Sequence, residues 1–259
     1  MVAVDCFRLS LISDFSRVPS LWIVIPTYNE RQTIAILLDR LASAGPAEIL
    51  VVDDNSPDGT SQLIEQLQTD NPHLHLLHRP RKDGLSSAYH QGLQAALDGG
   101  ADHVIHLDAD GSHDPALIGR MRQALETADM VLASRYVAGG SLDIPAHRRW
   151  ISSIGNWYMR FLLGRHIHDW STGYKAWRSQ LLKQVLDQSW QTVGYACLIE
   201  MSWLALRLGG QVTEVPLRFV DRQAGESKFS LGIMLEDLRV AGRLWVRRTR
   251  PLARERKKL

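Results

Sequence analysis

The 259-residue sequence predicts an α/β fold in which a mostly parallel sheet is flanked by helices. Two observations carry that expectation. Short apolar runs alternate with stretches of helical periodicity through the first two-thirds of the chain, the pattern of strands joined by crossover helices. Polar clusters recur just past the apolar runs, at the strand ends where such sheets bind ligands. The length suits one large α/β domain or two small ones.

The elements follow in order. Leu21–Ile25 predicts a strand ended by Pro26, and Glu30–Ala42 a helix with Ile34, Leu37, Leu38 and Leu41 on one face. A strand is expected at Glu48–Val52, then a helix at Thr60–Gln68 with Thr60 as its N-cap, then a strand at Leu74–His78. A helix at Leu85–Leu97 and a strand at Val104–Leu107 come next, followed by a helix at Pro115–Leu125 with proline in its first turn and a strand at Met130–Ser134. The final third reads differently. Arg148–Leu163 is an aromatic-rich amphipathic helix carrying Trp150, Ile151, Ile154, Trp157, Tyr158, Phe161 and Leu162. Phe229–Val246 places Leu231, Met234 or Leu235, Leu238, Ala241 and Trp245 on a second stripe. Both stripes suit either a membrane interface or packing on the sheet or a partner subunit.

Charge is uneven. The formal net charge is +2, yet Arg247–Leu259 holds seven Arg/Lys and one Glu, which leaves −4 on the remainder. A basic tail on a slightly acidic body implies an anionic partner, and an anionic membrane surface fits better than nucleic acid, because no stacking aromatics interleave the tail's basic residues. No window of 18 apolar residues exists, and residues 1–20 contain Asp5, Arg8, Asp14 and Arg17, so neither a transmembrane helix nor a signal peptide is expected. Cys6 and Cys197 match no metal or redox spacing and are expected to be reduced thiols.

Three polar clusters fall at predicted strand ends: Pro26-Thr27-Tyr28-Asn29-Glu30, Asp53-Asp54-Asn55-Ser56 and Asp108-Ala109-Asp110. Singly, each suits a turn or a helix cap. Together at one sheet edge they suit a nucleotide site in which Asp108 and Asp110 hold Mg²⁺ or Mn²⁺, a cation that needs few protein carboxylates and fills its shell with phosphate oxygens and water. No GxGxxG follows the first strand and no GxxxxGK[ST] occurs, which argues against a dinucleotide enzyme and a P-loop ATPase.

These segments resemble the polyprenyl-phosphate (dolichyl-phosphate) mannosyltransferases, the dolichol-phosphate mannose synthase group of glycosyltransferase family 2. The likeness extends over Ala133-Ser134-Arg135-Tyr136-Val137, Ser171-Thr172-Gly173-Tyr174-Lys175 and the run Phe219 to Lys228, covering roughly residues 20 to 230. The runs Asp53 to Thr60 and Arg222 to Lys228 are the more specific ones. The resemblance implies a GT-A fold and inverting transfer of mannose from GDP-mannose to a polyprenyl phosphate. The alternative is a UDP-sugar-dependent polyprenyl-phosphate glycosyltransferase. It places donor contacts on Pro26, Tyr28, Glu30, Val52, Asp54, Asp108, Ala109, Asp110, Arg135, Arg222 and Lys228. Asp108 and Asp110 face the sugar and metal, and Arg135, Arg222 and Lys228 neutralise phosphate, with Ser227 as a further donor. Ser112 stands where some relatives place a metal-ligating Gln, so it enters the metal set as a shorter ligand. The implied organisation is an N-terminal extension (1–19), a GT-A domain (20–228), an amphipathic helix (229–246) and a basic tail (247–259). Such a protein is expected at the cytoplasmic face of a membrane as a peripheral enzyme of glycolipid biosynthesis, compatible with recruitment by a separate membrane-anchoring subunit.

Overall fold

The computed structural model describes residues 18–220 and 231–249. A seven-stranded sheet forms the centre. Its strands are β1 (Leu21–Thr27), β2 (Glu48–Asp53), β3 (Leu74–His78), β4 (His103–His106), β5 (Met130–Ser134), β7 (Lys175–Arg178) and β8 (Val212–Pro216), in the order β3-β2-β1-β4-β7-β5-β8. All pairings are parallel except those of β7, which runs antiparallel between β4 and β5. β6 (Ser141–Asp143) and β9 (Arg218–Val220) form a separate parallel pair.

Helices cover both faces. On one side α1 (Arg31–Ala42), α2 (Thr60–Gln68) and α4 (Ile118–Ala124) contribute Ile34, Leu37, Leu41, Ile64, Ile118 and Met121 to a cluster with Ile23, Ile25 and Val131. On the other, α3 (Leu85–Asp98), α5 (Ala146–Leu163), α6 (Ser179–Leu186), α7 (Cys197–Arg207) and α8 (Leu231–Arg247) pack over Val24, Val52, Val104 and Trp177. The strands β1, β2, β4 and β5 are largely buried on both faces, so they read as apolar runs, and crossover helices keep them parallel.

Several local expectations are corrected. β1 continues through Pro26 to Thr27. Val24 O accepts from Leu107 N on the β4 side, and Thr27 O accepts from Asp54 N on the β2 side. Alternation therefore turns the nitrogen of Pro26 toward β4, beyond the last registered pair Val24–His106, where no ladder bond is lost. Thr60 does not cap α2 but begins it. The Asp58 carboxylate accepts from Thr60 N at 3.0 Å, from Thr60 Oγ1 at 2.6 Å and from Arg31 N at 3.1 Å, so one side chain serves the starts of two helices. The segment after Pro115 opens as a 3₁₀ turn, Pro115–Leu117, before α4.

The amphipathic stripes also divide. On α5, Tyr158 and Leu162 pack against the core, while Trp150, Ile154, Trp157 and Phe161 stand 61–70% exposed. Among the described side chains of α8, Val240, Ala241 and Leu244 are buried, whereas Leu235 and Trp245 are exposed. Of the expected stripe, Ala241 thus packs while Leu235 and Trp245 face outward. Cys197 is a free, buried thiol.

Lys175 is fully buried at the start of β7, with its Nζ on Leu198 O and 2.7 Å from Ser202 Oγ. Burial pushes its amine from the ordinary 10.5 down to about 7. Between pH 7 and 10.5 the unfolded chain holds a proton that the folded chain lacks, so this group's cost falls as pH rises through that window. Below pH 7 the full cost applies. Lys175→Met is therefore expected to stabilise the fold at and below neutral pH by on the order of 1–4 kcal/mol, a gain that disappears above pH ~10.5. Ser202 Oγ already donates to Leu198 O at 3.1 Å, so the carbonyl keeps a partner. Urea unfolding across this pH range measures it; a destabilised variant at pH 6 would contradict the burial argument.

Candidate active site

The polar clusters gather at the carboxyl ends of β1, β2 and β4, adjacent strands of the sheet. The first two loops are tied together. Asn29 N donates to Ser56 Oγ at 2.9 Å and Glu30 N to Thr60 Oγ1 at 3.3 Å. Asn29 and Asn55 adopt left-handed backbone angles, φ 59° and 56°, a region asparagine tolerates better than most residues.

Asp53 and Asp54 separate into two roles. Asp53 is fully buried and saturated: it accepts from Thr27 Oγ1 at 3.1 Å, Ser56 Oγ at 2.5 Å, Ser56 N at 2.9 Å and Ser61 Oγ at 2.5 Å. It binds the loop to the sheet. Asp54 instead pairs with Arg79, whose Nη2 donates to Ser87 Oγ at 2.7 Å. Burial raises the Asp54 carboxyl above its ordinary range against the opposing pull of Arg79. Lys82 Nζ stands 3.7 Å from the centroid of the Tyr28 ring. Tyr28, Asp54, Arg79 and Lys82 therefore form one aromatic and charged recess. Sequence reasoning missed Arg79 and Lys82, which sit past β3 in a run, Arg79-Pro80-Arg81-Lys82, that resembles any solvated basic turn.

The Asp108-Ala109-Asp110 turn follows β4. Tyr89 OH donates to Asp108 Oδ1 at 3.2 Å, and burial together with the Asp108 charge holds that phenol well above its ordinary value, so it remains a donor. His113 Nδ1 accepts from Asp108 N at 3.0 Å, and its ring stacks on Tyr174 with centroids 5.1 Å apart. The acceptor role at Nδ1 places the neutral ring's proton on Nε2, 3.9 Å from Asp108 Oδ2. A Cβ at Gly173 would lie 3.2 and 3.4 Å from the two Asp108 carboxylate oxygens, so a side chain there would crowd that carboxylate. Asp110 is buried and accepts from Ser112 N at 3.0 Å, so Ser112 meets it through its backbone.

Arg135, at the end of β5, is held as a fork. Its Nε and Nη2 both lie 2.6 Å from Asp169 oxygens, its backbone N donates to Asp169 at 3.0 Å, and Nη2 reaches Ser171 Oγ at 2.8 Å. Burial opposes the charge, but the Asp169 carboxylate outweighs it and lifts the guanidinium above its ordinary value; Asp108 adds to that effect, which puts Arg135 within the field of the acidic turn. Asp169, which the sequence analysis did not single out, is fully buried, and its backbone N donates to Glu214 Oε1 at 3.0 Å. Pro26 and Val52 lie in register on β1 and β2, and Ala109 is buried between the two acidic residues. Arg222, Ser227 and Lys228 lie outside the described residues.

A divalent cation fits the donor set. Asp108 and Asp110 are hard oxygen donors on one turn. Among the described residues no group of three or more His, Cys, Asp or Glu side chains forms a closed cage, so a cation here would depend on ligands beyond the protein's carboxylates.

Residues 22–186 match Glycosyl transferase family 2. An undecaprenyl-phosphate mannosyltransferase of Micrococcus luteus is 41% identical over 215 residues, 82% of this chain and 88% of that protein. A polyprenol monophosphomannose synthase of Mycolicibacterium smegmatis is 41% identical over 212 residues, 80% of each. A dolichol-phosphate mannosyltransferase of Pyrococcus furiosus is 34% identical over 229 residues, 86% of this chain and 62% of that one. Among solved structures, glucosyl-3-phosphoglycerate synthase from Mycobacterium tuberculosis with Mn²⁺, UDP and phosphoglyceric acid superposes with a TM-score of 0.63 at 18% identity, covering 90% of this chain and 80% of that one. That likeness is one of fold. With the strand-end acids, the parallel sheet and the matched span together, the chain belongs to glycosyl transferase family 2, in the group of polyprenyl-phosphate mannosyltransferase-like proteins.

Proposed function

We propose that this protein transfers mannose from GDP-mannose to the phosphate of a polyprenol, inverting the anomeric carbon and releasing GDP. The observation that carries this reading is the 41% identity, across four-fifths of the chain, to two proteins named for mannose transfer to polyprenyl carriers. The site's chemistry supports it. An acceptor phosphate oxygen attacks the anomeric carbon as the bond from that carbon to the diphosphate oxygen breaks, and its electron pair leaves with GDP. The acceptor is already an anion near neutral pH, so the reaction requires positioning and charge neutralisation more than a general base.

The side chains divide that work. Tyr28 and Asp54 hold the nucleoside, with Arg79 fixing the Asp54 carboxylate and Lys82 covering the Tyr28 ring. Tyr89 orients Asp108. Arg135, held rigid by Asp169, adds positive potential beside the acidic turn. Arg222, Ser227 and Lys228 complete the phosphate-facing set on this reading. Asp108 and Asp110, with Ser112 nearby, would hold Mg²⁺ or Mn²⁺, which when bound would supply countercharge to the departing diphosphate.

We place the enzyme on the cytoplasmic face of a membrane, with α5 toward the lipid. No helix of the described residues is long and apolar enough to cross a bilayer. Trp150, Ile154, Trp157 and Phe161 repeat at i, i+4, i+7 and i+11, and Trp157 and Phe161 stack with centroids 6.0 Å apart. An exposed stripe rich in tryptophan suits the headgroup boundary, where the ring's body is apolar and its edge is wet.

The test is label transfer by purified protein to detergent-dispersed polyprenyl phosphate, with GDP-mannose, UDP-glucose and UDP-GlcNAc in parallel, with and without Mg²⁺ or Mn²⁺. Cation-dependent label in the lipid fraction is expected from GDP-mannose alone. Label from a UDP-sugar but not from GDP-mannose would replace this reading with the UDP-sugar alternative.

A further inference from the structure

The exposed side of α8 carries a charge pattern that the transfer reaction does not use. Arg239, Arg243 and Arg247 follow one another four residues apart, on one stripe of the helix. With Gly242, Val246 and Gln191 they line an open cleft of about 830 Å³. Like charges at this spacing oppose helix formation, so the helix itself gains nothing from them.

Only one of the three is committed within the fold. Arg247 Nη1 lies 3.5 Å from Glu200 Oε1, and its guanidinium stands 5.7 Å from the Trp203 ring centroid. Glu200 in turn accepts from Gln191 N at 2.9 Å and Thr192 N at 3.1 Å, which fixes the opposite wall of the cleft. Arg239 and Arg243 are exposed, and among the described residues neither forms an ion pair. Leu235 and Val246, 45% and 56% exposed, fall within a quarter-turn of Arg239 on the same side of the helix. The cleft thus sets the aliphatic side chain of Val246 among cationic heads, with Leu235 outside it on the same side of the helix, and α8 packs directly on α5, whose own exposed face is apolar.

We infer that this cleft binds the phosphate headgroup of an anionic membrane lipid, in addition to the strand-end site. The inference rests on the membrane placement proposed above and gives it a residue-level seat. Paired guanidinium forks recognise phosphate oxygens, while Leu235 and Val246 meet the first carbons of the acyl chains. The occupant is a bilayer rather than a soluble anion, because a free anion gains nothing from the aliphatic rim or from the neighbouring aromatic stripe.

The test uses the full chain, no sugar donor, and sedimentation with vesicles of phosphatidylcholine alone or mixed with phosphatidylglycerol. Arg239→Ala/Arg243→Ala is expected to weaken binding to mixed vesicles on the order of 10-fold and to leave binding to phosphatidylcholine unchanged. Arg239→Lys/Arg243→Lys, which keeps the charge, should retain most of the affinity. A charge-matched pair elsewhere, Arg120→Ala/Lys183→Ala, should have little effect. Equal loss in that control, or no loss in the first variant, overturns the site. Inorganic phosphate that displaces the protein from mixed vesicles at low concentration would assign the cleft to a soluble anion instead. Mannose transfer to detergent-dispersed acceptor should be unaffected by the double alanine variant. Failure of transfer in the unmodified protein would sink the proposed reaction without touching the vesicle result.

Discussion

Asp110→Asn is expected to lower sugar transfer by about 10²–10³-fold or more while leaving the fold intact. Asp110 is buried on the turn after β4 and accepts from Ser112 N at 3.0 Å. An asparagine Oδ1 can accept the same bond from Ser112 N, so that contact of the turn is kept while the negative charge is removed. If that charge holds a cation against the donor diphosphate, GDP affinity should fall in the presence of Mn²⁺ and change little without it. Label transfer and calorimetric GDP titrations with and without the ion measure the two effects. Thermal unfolding should shift by no more than a few degrees. Near-normal transfer by the asparagine variant would remove Asp110 from the reacting centre and with it the metal–diphosphate reading of the turn.

Asp169→Ala is expected to destabilise the protein by roughly 3–5 kcal/mol, the largest effect on folding foreseen here. The carboxylate is fully buried and takes three hydrogen bonds from Arg135, two from the guanidinium and one from the backbone. Removing it strands a largely buried cation with Ser171 Oγ and the faces of the Tyr136 and Phe219 rings, but no carboxylate, beside it. Arg135→Ala should be similarly costly, since it leaves the buried Asp169 carboxylate with one backbone donor and no hydrogen-bonded cation. Arg135→Lys separates structure from chemistry: it keeps the charge but loses the fork, and should recover part of the stability while transfer stays low. Urea unfolding with transfer assays on the same preparations gives both readouts. A stable Asp169→Ala variant would show that the ion pair is not what anchors the end of β5.

Much of this architecture was legible in the residues. Parallel strands buried on both faces must be apolar throughout, so β1 to β5 showed themselves as short runs separated by helical periodicity. The strand-end clusters showed themselves as polar residues placed where the sheet stops. The segment from residue 164 to 220 was not legible. β7 is only four residues long, contains a lysine and an arginine, and takes its place between β4 and β5 by antiparallel pairing that no periodicity announces. α7 is buried along nearly its whole length, so it lacks the polar face that marks an amphipathic helix.

The candidate site divides the same way. The sequence by itself determined which groups the turns carry: Tyr28, the Asp53-Asp54 pair, Asp108 and Asp110, each fixed by its distance from a strand end. Only the tertiary structure decided how adjacent acids differ. Asp53 is saturated by hydroxyls from β1 and α2, whereas Asp54 meets Arg79 from beyond β3. It also decided that the Arg135 fork closes on Asp169, 34 residues away, and that three of the four Trp, Tyr and Phe side chains of α5 face outward. The physical reason is common to all of these. Spacing along the chain specifies which face of a strand or helix a side chain occupies, but burial and partnership depend on what another segment brings to that face.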